Sequence, residues 1–413
     1  MSGPTSDPSR DPSSPAPTSA KPTAAGAAAP SHAGPSLVRR AFERTAPLLA
    51  LAAVIAFFSV ATMVKGWNDL QASAVRRKAP APAMSVETVQ ELWRKNRFFT
   101  PENFQLVWKN TAIVAIAALG MTLIIISGGI DLSVGHASAL ASVVLAVGLG
   151  QGVGAFANWW LGLVGMGSAT PPALPTEINA ALAVMLCLLT GVAAGFVNGG
   201  LATSLKVVPF IITLGTMTIY LGLAKRLTGE SVYHPARDKV PDFVSGLMRV
   251  PDDAGWFTLP WSVWLLAGLA ALTAFVLHQT VFGRHVYAIG SNEATARLCG
   301  VPVDRVKWLV YSFAGFFTAV AGLLNFAQIK VGDPNSGSGM ELKVIAAVVI
   351  GGGSLSGGRG SVVGTLVGAA IMSVINSGGT HLGLQDSMQN IILGVIIVSA
   401  VTLDQWRQKK LAA

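Results

Sequence analysis

The chain has 413 residues and a formal net charge of +9, yet only 12% of its residues are charged and 52% are hydrophobic. This composition excludes a set of ordinary soluble domains and is typical of a membrane protein. The positive charge does not indicate nucleic acid, because most Lys and Arg residues stand in short segments beside apolar runs, as the positive-inside rule expects. The two cysteines and six histidines lack the spacing of a disulfide framework or a metal site, and no metal is predicted.

The N-terminal region differs from the rest of the chain. Residues 1–36 are rich in Pro, Ser and Ala and predict a disordered tail, which we extend to residue 44. The first apolar run begins near Thr45 and has no small-x-small cleavage pattern, so it predicts a signal anchor. Arg39, Arg40 and Arg44 precede it and favour a cytoplasmic N-terminus. A transmembrane domain is predicted over 45–406, followed by a cytoplasmic tail over 407–413.

The apolar runs predict an all-α polytopic membrane protein with about ten helices, at roughly 20 residues per crossing. The predicted spans lie near 45–64, 107–128, 132–151, 178–200, 208–224, 260–278, 308–328, 342–356, 361–378 and 387–403. An even count returns the C-terminus to the cytoplasm and places the basic segment 282–307 there too. The loop 65–103 is predicted outside although it is basic, because orientation bias is weak in long loops.

The loops 152–177 and 225–259 are predicted at the outer interface. Aromatic residues in and beside them predict a belt at the membrane surface: Trp159, Trp160, Trp256, Trp261 and Trp264.

Two stretches share one pattern: "IIISGGIDLSVG", residues 124–135, and "AVVIGGGSLSGGRG", residues 347–360. Each stretch begins with an apolar run and continues with a Gly cluster, a Ser and a polar break. A predicted helix of small residues follows. We interpret them as helix breaks in two pseudo-repeated halves, which in transporters mark the transport pathway. The break residues are Gly128, Gly129, Asp131 and Ser133 in the first half, matched with Gly352, Gly353, Gly357 and Arg359 in the second.

The charge of Asp131 in an apolar setting allows two interpretations. In the first, Asp131 forms an ion pair with Arg359, which would neutralise both groups. In the second, Asp131 caps a helix that begins at Leu132. Both interpretations stay open. The G-x-x-x-G steps Gly191, Gly195, Gly199 and Gly364, Gly368 predict close helix packing.

Segment 282–307 carries a short polar helix. Asn292 is a suitable N-cap, Ala294–Leu298 favours helix, Gly300 suits the C-terminal cap and Pro302 follows. A helix of about two turns is not stable alone in water. The segment is therefore predicted to dock into a separate motor protein, the alternative being an ordinary loop between spans.

No G-x-x-x-x-G-K-[ST] motif occurs in the chain. The string "LSGGR", residues 355–359, looks like an ATPase signature, but without the phosphate-binding motif it does not predict ATP hydrolysis. A membrane-embedded enzyme is also disfavoured, because no Ser/His pair, metal cluster or acid dyad stands in matched spans.

Three strings in this order resemble the permease subunits of bacterial ABC importers for ribose, xylose and similar monosaccharides: "GMTLIIISGGIDLSVG", "GRHVYAIGSNEATARLCGV" and "ELKVIAAVVIGGGSLSGGRGSVVGTLVGA". The resemblance covers residues 98–406. It implies an inner-membrane dimer of this permease or of two related permeases, a pair of cytoplasmic ATPases that bind ATP-Mg, and a periplasmic sugar-binding protein. The tail, the loop 65–97, the insert 152–177 and Cys299, where the family usually has Ser, depart from the pattern.

The resemblance also assigns residues. The motif that touches the ATPase matches Gly290, Asn292, Glu293, Ala296, Arg297 and Gly300. Candidate sugar contacts on the pathway are Asn198, Thr213, Thr216, Asn325 and Gln328, although each could instead form an inter-helix hydrogen bond. The alternative function is a secondary transporter or channel without an ATPase. Such a protein is expected to carry ionisable residues deep inside its spans, whereas nearly all charges here lie near predicted span ends.

Overall fold

A computed structural model describes residues 37–78, 80, 83–94, 96–154, 156, 158, 174–250 and 258–412. Helices form almost all of the secondary structure in these ranges, and the extended pairing described is an isolated bridge between Tyr233 and Gly332. The predicted disordered region 1–36 and the belt residues Trp159, Trp160 and Trp256 lie outside the described residues. Trp261 and Trp264 are largely exposed, as a membrane-surface belt requires.

The connections between the main helices range from a single residue, such as Thr280, to the long segment 229–260, which contains the short helix Asp242–Ser245. We label the main helices α1 (Leu37–Arg76), α2 (Val86–Arg94), α3 (Pro101–Ile126), α4 (Val134–Gln151), α5 (Thr176–Ser204), α6 (Pro209–Thr228), α7 (Trp261–Gln279), α8 (Val281–Ser291), α9 (Glu293–Leu298), α10 (Val303–Ile329), α11 (Met340–Ile350), α12 (Val362–Leu382) and α13 (Asp386–Ala412).

The predicted all-α polytopic architecture is confirmed. In the described residues, eight helices are long and apolar enough to cross a membrane: α1 from Thr45, α3, α4, α5, α6, α7, α10 and α12. The apolar part of α13, Ser387–Ser399, is shorter. Several predicted boundaries differ from the structure. The first helix continues past residue 64 to Arg76, and α11 has only 11 residues where a span over 342–356 was predicted. Eleven residues cover about 16 Å, roughly half of the hydrocarbon thickness.

Burial divides the helices into central and peripheral ones. The apolar windows of α3 and α4 are 83% and 89% buried, whereas those of α5 and α6 are only 33% and 22% buried. Helix α10 packs against α3, α4 and α5 and belongs to the centre. The peripheral helices therefore present apolar side chains outward, as helices that face lipid or a second membrane protein do.

Small residues allow α5 and α10 to approach closely. A Cβ at Gly191 would overlap the backbone of Gly315, and one at Gly195 would overlap the carbonyl oxygen of Tyr311. On α12, a Cβ at Gly368 would overlap the carbonyl oxygen of Ala347 on α11. The prediction that the G-x-x-x-G steps serve helix packing is confirmed.

Candidate functional site

The two predicted helix breaks end their helices in the same way. After α3, the amide of Gly128 donates to the carbonyl of Ile125 and that of Gly129 donates to the carbonyl of Ile124, at 3.0 and 2.9 Å. After α11, Gly352 donates to the carbonyl of Val349 and Gly353 to that of Val348, at 2.9 and 2.8 Å.

This pattern is a Schellman cap, and it needs a left-handed residue that glycine adopts most readily. Gly128 has φ 81° and Gly352 has φ 92°. The matched glycines of the two halves are thus equivalent in backbone structure.

The two breaks also contact each other. The amide of Gly358 donates to the carbonyl of Ile126 at 2.9 Å. A Cβ on Gly357 would lie 3.0 Å from the Cα of Gly128 and 2.6 Å from the carbonyl oxygen of Gly290. The two breaks, far apart in the sequence, therefore meet at one place.

Helix α8 joins them at that place. A Cβ on Gly290 would overlap both the carbonyl oxygen of Ile126 and the amide nitrogen of Gly358. We call Gly128, Gly290, Gly357 and Gly358 the glycine junction. It brings segment 282–307 into backbone contact with both breaks, an arrangement that the sequence analysis did not predict.

The short helix in segment 282–307 forms as predicted. Asn292 accepts a hydrogen bond from the amide of Thr295 at 2.9 Å and caps α9. Gly300 has φ 82°, and Ala296 is buried while the rest of α9 is exposed. The apolar side chain of Leu298 is 89% exposed at the end of this helix. Helix α9 is therefore a short, capped and protruding element, as a docking helix must be.

Ion pairs tie α9 to the first turns of α10. Glu293 accepts from the Lys307 ammonium at 2.7 Å, and Arg297 contacts Asp304 at 3.0 Å and Glu293 at 3.4 Å. Burial acts to raise the pKa of Glu293, but the hydrogen bonds and charges of Lys307 and Arg297 outweigh it and hold that pKa below its ordinary value. The network thus favours one orientation of α9 at neutral pH.

The predicted pair of Asp131 with Arg359 is wrong. Asp131 is 7% exposed, and its carboxylate accepts from the amide and the hydroxyl of Ser133, both at 2.7 Å. Arg359 is exposed and forms no ion pair with it. The alternative is wrong in its position as well: α4 begins at Val134 and not at Leu132. Asp131 orders the backbone just ahead of the helix.

Two of the candidate sugar contacts, Asn198 and Thr213, lie at the first break beside Asp131. Asn198 donates to the Ser133 hydroxyl at 2.8 Å and accepts from the Tyr220 hydroxyl at 3.1 Å. Thr213 accepts from the amide of Leu132 at 3.1 Å.

Asn198, Thr213 and Thr216 are each no more than 3% exposed. Asn198 and Thr213 bond to neighbouring helices and to the first break, so the geometry supports the inter-helix alternative for these two. The hydroxyl of Thr216 instead donates to the carbonyl of Thr213 in its own helix at 3.3 Å.

The other two candidates, Asn325 and Gln328 on α10, line a cavity of about 200 Å³. Gln328 donates to the side-chain oxygen of Asn110 on α3 at 3.2 Å, and its own oxygen is buried without a partner in the described part of the chain. A second cavity of about 260 Å³ shares lining residues with the first, among them Lys343 and Asn376. We call the two together the amide cavity.

The amide cavity offers many hydrogen-bonding groups. Its polar lining residues are Asn110, Asn325, Gln328, Ser336, Ser338, Lys343, Ser373, Asn376, Gln389 and Asn390. Amides and hydroxyls both donate and accept, which suits a small solute with many hydroxyl groups. In the described residues, no group of three or more His, Cys, Asp or Glu is placed to hold a metal ion.

Most of the residues that line the amide cavity were not predicted from the sequence. A usable signal existed, because Asn325 and Gln328 on α10, and Ser373 and Asn376 on α12, are polar pairs three residues apart in apolar helices. Such pairs share one helix face. Lys343 had no signal, because its helix was predicted to be a full span with this lysine near the end.

Comparisons with known proteins show the family of this chain. The family described as "Branched-chain amino acid transport system / permease component" matches residues 106–401. Ribose import permease protein RbsC of Escherichia coli (strain K12) is 36% identical over 318 residues, covering 75% of this chain and 88% of the relative. RbsC of Bacillus subtilis (strain 168) is 36% identical over 312 residues, covering 75% and 86%. Autoinducer 2 import system permease protein LsrC of Photorhabdus luminescens is 31% identical over 309 residues, covering 75% and 83%. No solved structure matches this chain.

Proposed function

This chain belongs to the permease-component family of ABC importers, and on that premise we propose that it forms the membrane pathway for uptake of a monosaccharide. The observation that carries the proposal is the glycine junction, which connects the protruding helix α9 to both helix breaks. A movement imposed on α9 from outside the chain reaches both halves through backbone contacts, with no flexible side chain between them.

The energy for this movement comes from a partner. A cytoplasmic ATPase binds ATP-Mg and also binds α9. The exposed Leu298 enters an apolar groove of the ATPase, and the charged residues around it form the rim of the contact. Gly290, Asn292, Glu293, Ala296, Arg297 and Gly300 build this element, and the chain itself binds no cofactor. Both termini and α9 face the cytoplasm.

A second permease copy pairs with this chain in the importer. The outward-facing apolar side chains of α5 and α6 provide surfaces for that copy or for lipid. A periplasmic binding protein delivers the solute at the opposite end of the membrane. Solute selection then rests mainly on the binding protein, because a tight site in the membrane would slow release.

The amide cavity is the solute path within this chain. Its amides and hydroxyls match the hydroxyl groups of a sugar, and the unpartnered oxygen of Gln328 provides an acceptor for one of them. The named relatives import ribose or autoinducer 2, so the family handles small polar solutes of more than one kind.

Uptake by the complete importer tests the proposal. The permease is reconstituted in liposomes with its ATPase and binding protein, and uptake of radiolabelled ribose and xylose is measured with ATP, with a non-hydrolysable ATP analogue, and with a proton gradient alone. We expect uptake of at least one sugar only with ATP and the partners. Uptake by the permease alone, driven by the proton gradient, would instead show a secondary transporter.

Cavity variants locate the path. Gln328→Leu removes both hydrogen-bonding groups at nearly constant size and is expected to lower sugar uptake about tenfold, since a lost hydrogen bond is worth about 1–1.5 kcal/mol. Thr218→Ala, an exposed change on α6 outside the cavity, is the matched control. Equal uptake by both variants would place the path elsewhere.

A further inference from the structure

Lys343 lines the amide cavity beside the middle of a long apolar helix. It is on the first turn of α11, and it lines the amide cavity beside Met372 and Asn376 of α12. Met372 is the central residue of the 21-residue α12. The segment before α11 also runs inward, because Gly337 packs against Gly135 at the start of α4. Lys343 therefore lies beside the middle of α12 and lines both parts of the amide cavity.

Lys343 has no negatively charged partner among the residues that the structure describes. No acidic side chain is among the residues that line the amide cavity, and no ion pair in the described part of the chain includes Lys343. Glu341 is the nearest acid in sequence, but two residues along a helix are about 200° apart. Its carboxylate accepts from the amide of Gly339 and lies against Gly135.

An ionisable group without a charge partner is costly inside a transmembrane domain, and such groups mark substrate pathways. The other polar groups of the cavity are neutral amides and hydroxyls, which can donate and accept hydrogen bonds with the hydroxyl groups of a solute. Gln328 adds a buried acceptor that lacks a donor. A ligand that satisfies the whole set carries several hydroxyls and one negative charge.

We propose that Lys343 makes the amide cavity favour polyhydroxylated solutes with a carboxylate, that is sugar acids, over the neutral sugars of the same shape. This inference rests on the proposed function and refines the substrate class of the same cavity. The preference is moderate, because Lys343 is only half-buried and water screens its charge.

A matched pair of ligands tests the charge alone. D-Glucuronate and D-glucose differ at one carbon, which bears a carboxylate in the first and a hydroxymethyl group in the second. Binding of each to the full-length permease in phosphatidylcholine nanodiscs is measured by saturation-transfer NMR titration. We expect glucuronate to bind roughly two- to fivefold more tightly, the range of a partly exposed charge pair, and the difference to shrink as salt is raised.

Variants assign the preference to one residue. Lys343→Gln should abolish the difference while glucose still binds, and Lys343→Arg should retain it. Lys330→Gln is the matched control, because it removes the same charge from an exposed site just after α10 that lines neither part of the cavity. It should leave the preference unchanged.

Three results would overturn the inference. Equal binding of the two ligands to the unaltered protein would show that Lys343 is neutralised, for instance by an acid of a second copy. A preference that survives Lys343→Gln would place its cause elsewhere, and an absence of binding by either ligand would show that the cavity is no solute site.

These results are distinct from a failure of the proposed function. ATP-dependent uptake of a neutral sugar would stand even if the two ligands bound equally. A clear preference for glucuronate together with uptake that needs no ATPase would overturn the proposed function alone.

Discussion

Ser133 holds together the polar cluster at the first break. Its hydroxyl donates to Asp131 and accepts from Asn198, so one atom satisfies two buried side chains. The same cluster connects the break to α5 and, through Thr213, to α6. The Ser133 hydroxyl therefore links the first break to the neighbouring helix α5.

Loss of that hydroxyl should weaken the fold. Ser133→Ala leaves Asn198 without its best acceptor and Asp131 with one donor fewer, and we expect a loss of about 1–2 kcal/mol of stability. Denaturation by titration with SDS measures it. The control is Thr218→Ala, which removes an exposed hydroxyl that bonds only within its own helix. Equal stability of the two variants would show that the Ser133 hydroxyl does not stabilise the first break.

Glu293 governs the order of α9 in a pH-dependent way. Because the pKa of Glu293 is lowered in the folded protein, its carboxylate stabilises the fold fully above its ordinary pKa of 4.5. This stabilisation is lost as the pH falls through the lowered pKa. We expect Glu293→Gln to speed hydrogen exchange at the amides of Cys299, Gly300 and Val301 by up to about fivefold at pH 7, as for a partly exposed ion pair.

Comparison at equal pH isolates this effect. The difference between Glu293→Gln and the unaltered protein should disappear as the pH is brought well below 4.5. Asp242→Asn, which removes the exposed pair with Arg249, should leave these amides unchanged. A difference that persists in acid would exclude the carboxylate as the cause.

The helices around the glycine junction depend on contact between backbones. Helix α8, the end of α3 and the segment after α11 meet where side chains have no room. Packed elements of this kind have few intermediate positions, so a displacement of one is passed to the others. We therefore expect the two breaks to move together with each other and with α9.

A methyl group at the junction should uncouple these elements. Gly290→Ala would overlap the carbonyl of Ile126, so we expect sugar uptake and its stimulation of ATP hydrolysis to fall at least tenfold. Gly268→Ala in α7 is the control, because no atom lies within 4 Å of the added group. Alanine is the better helix former there, so this variant should retain uptake. Full uptake by Gly290→Ala would exclude coupling through the junction.

The orientation of the whole molecule can be read from its own cysteines. Cys299 is exposed beside α9, whereas Cys187 is buried in α5. A membrane-impermeant maleimide should therefore label one site per chain, and only after the cell interior is opened. Cys299→Ser should abolish the labelling. Labelling of intact spheroplasts would place α9 outside the cell and contradict the proposed docking to an ATPase.

The sequence alone determined the features that depend on neighbouring residues. Runs of apolar residues predicted the helices, Asn292 and Gly300 predicted the ends of α9, and the glycine clusters predicted both breaks. Hydropathy, capping and left-handed glycine conformations act within a few residues, so they are visible in a single chain.

Tertiary structure alone decided which residues meet. It joined Ile126 to Gly358 and assigned Asp131 to Ser133 and Asn198 instead of Arg359. It also separated Asn325 and Gln328 from the three buried candidates and brought Lys343 of the short α11 beside the middle of α12. These outcomes depend on how helices distant in sequence pack, and packing follows from shape and close approach that no local pattern contains.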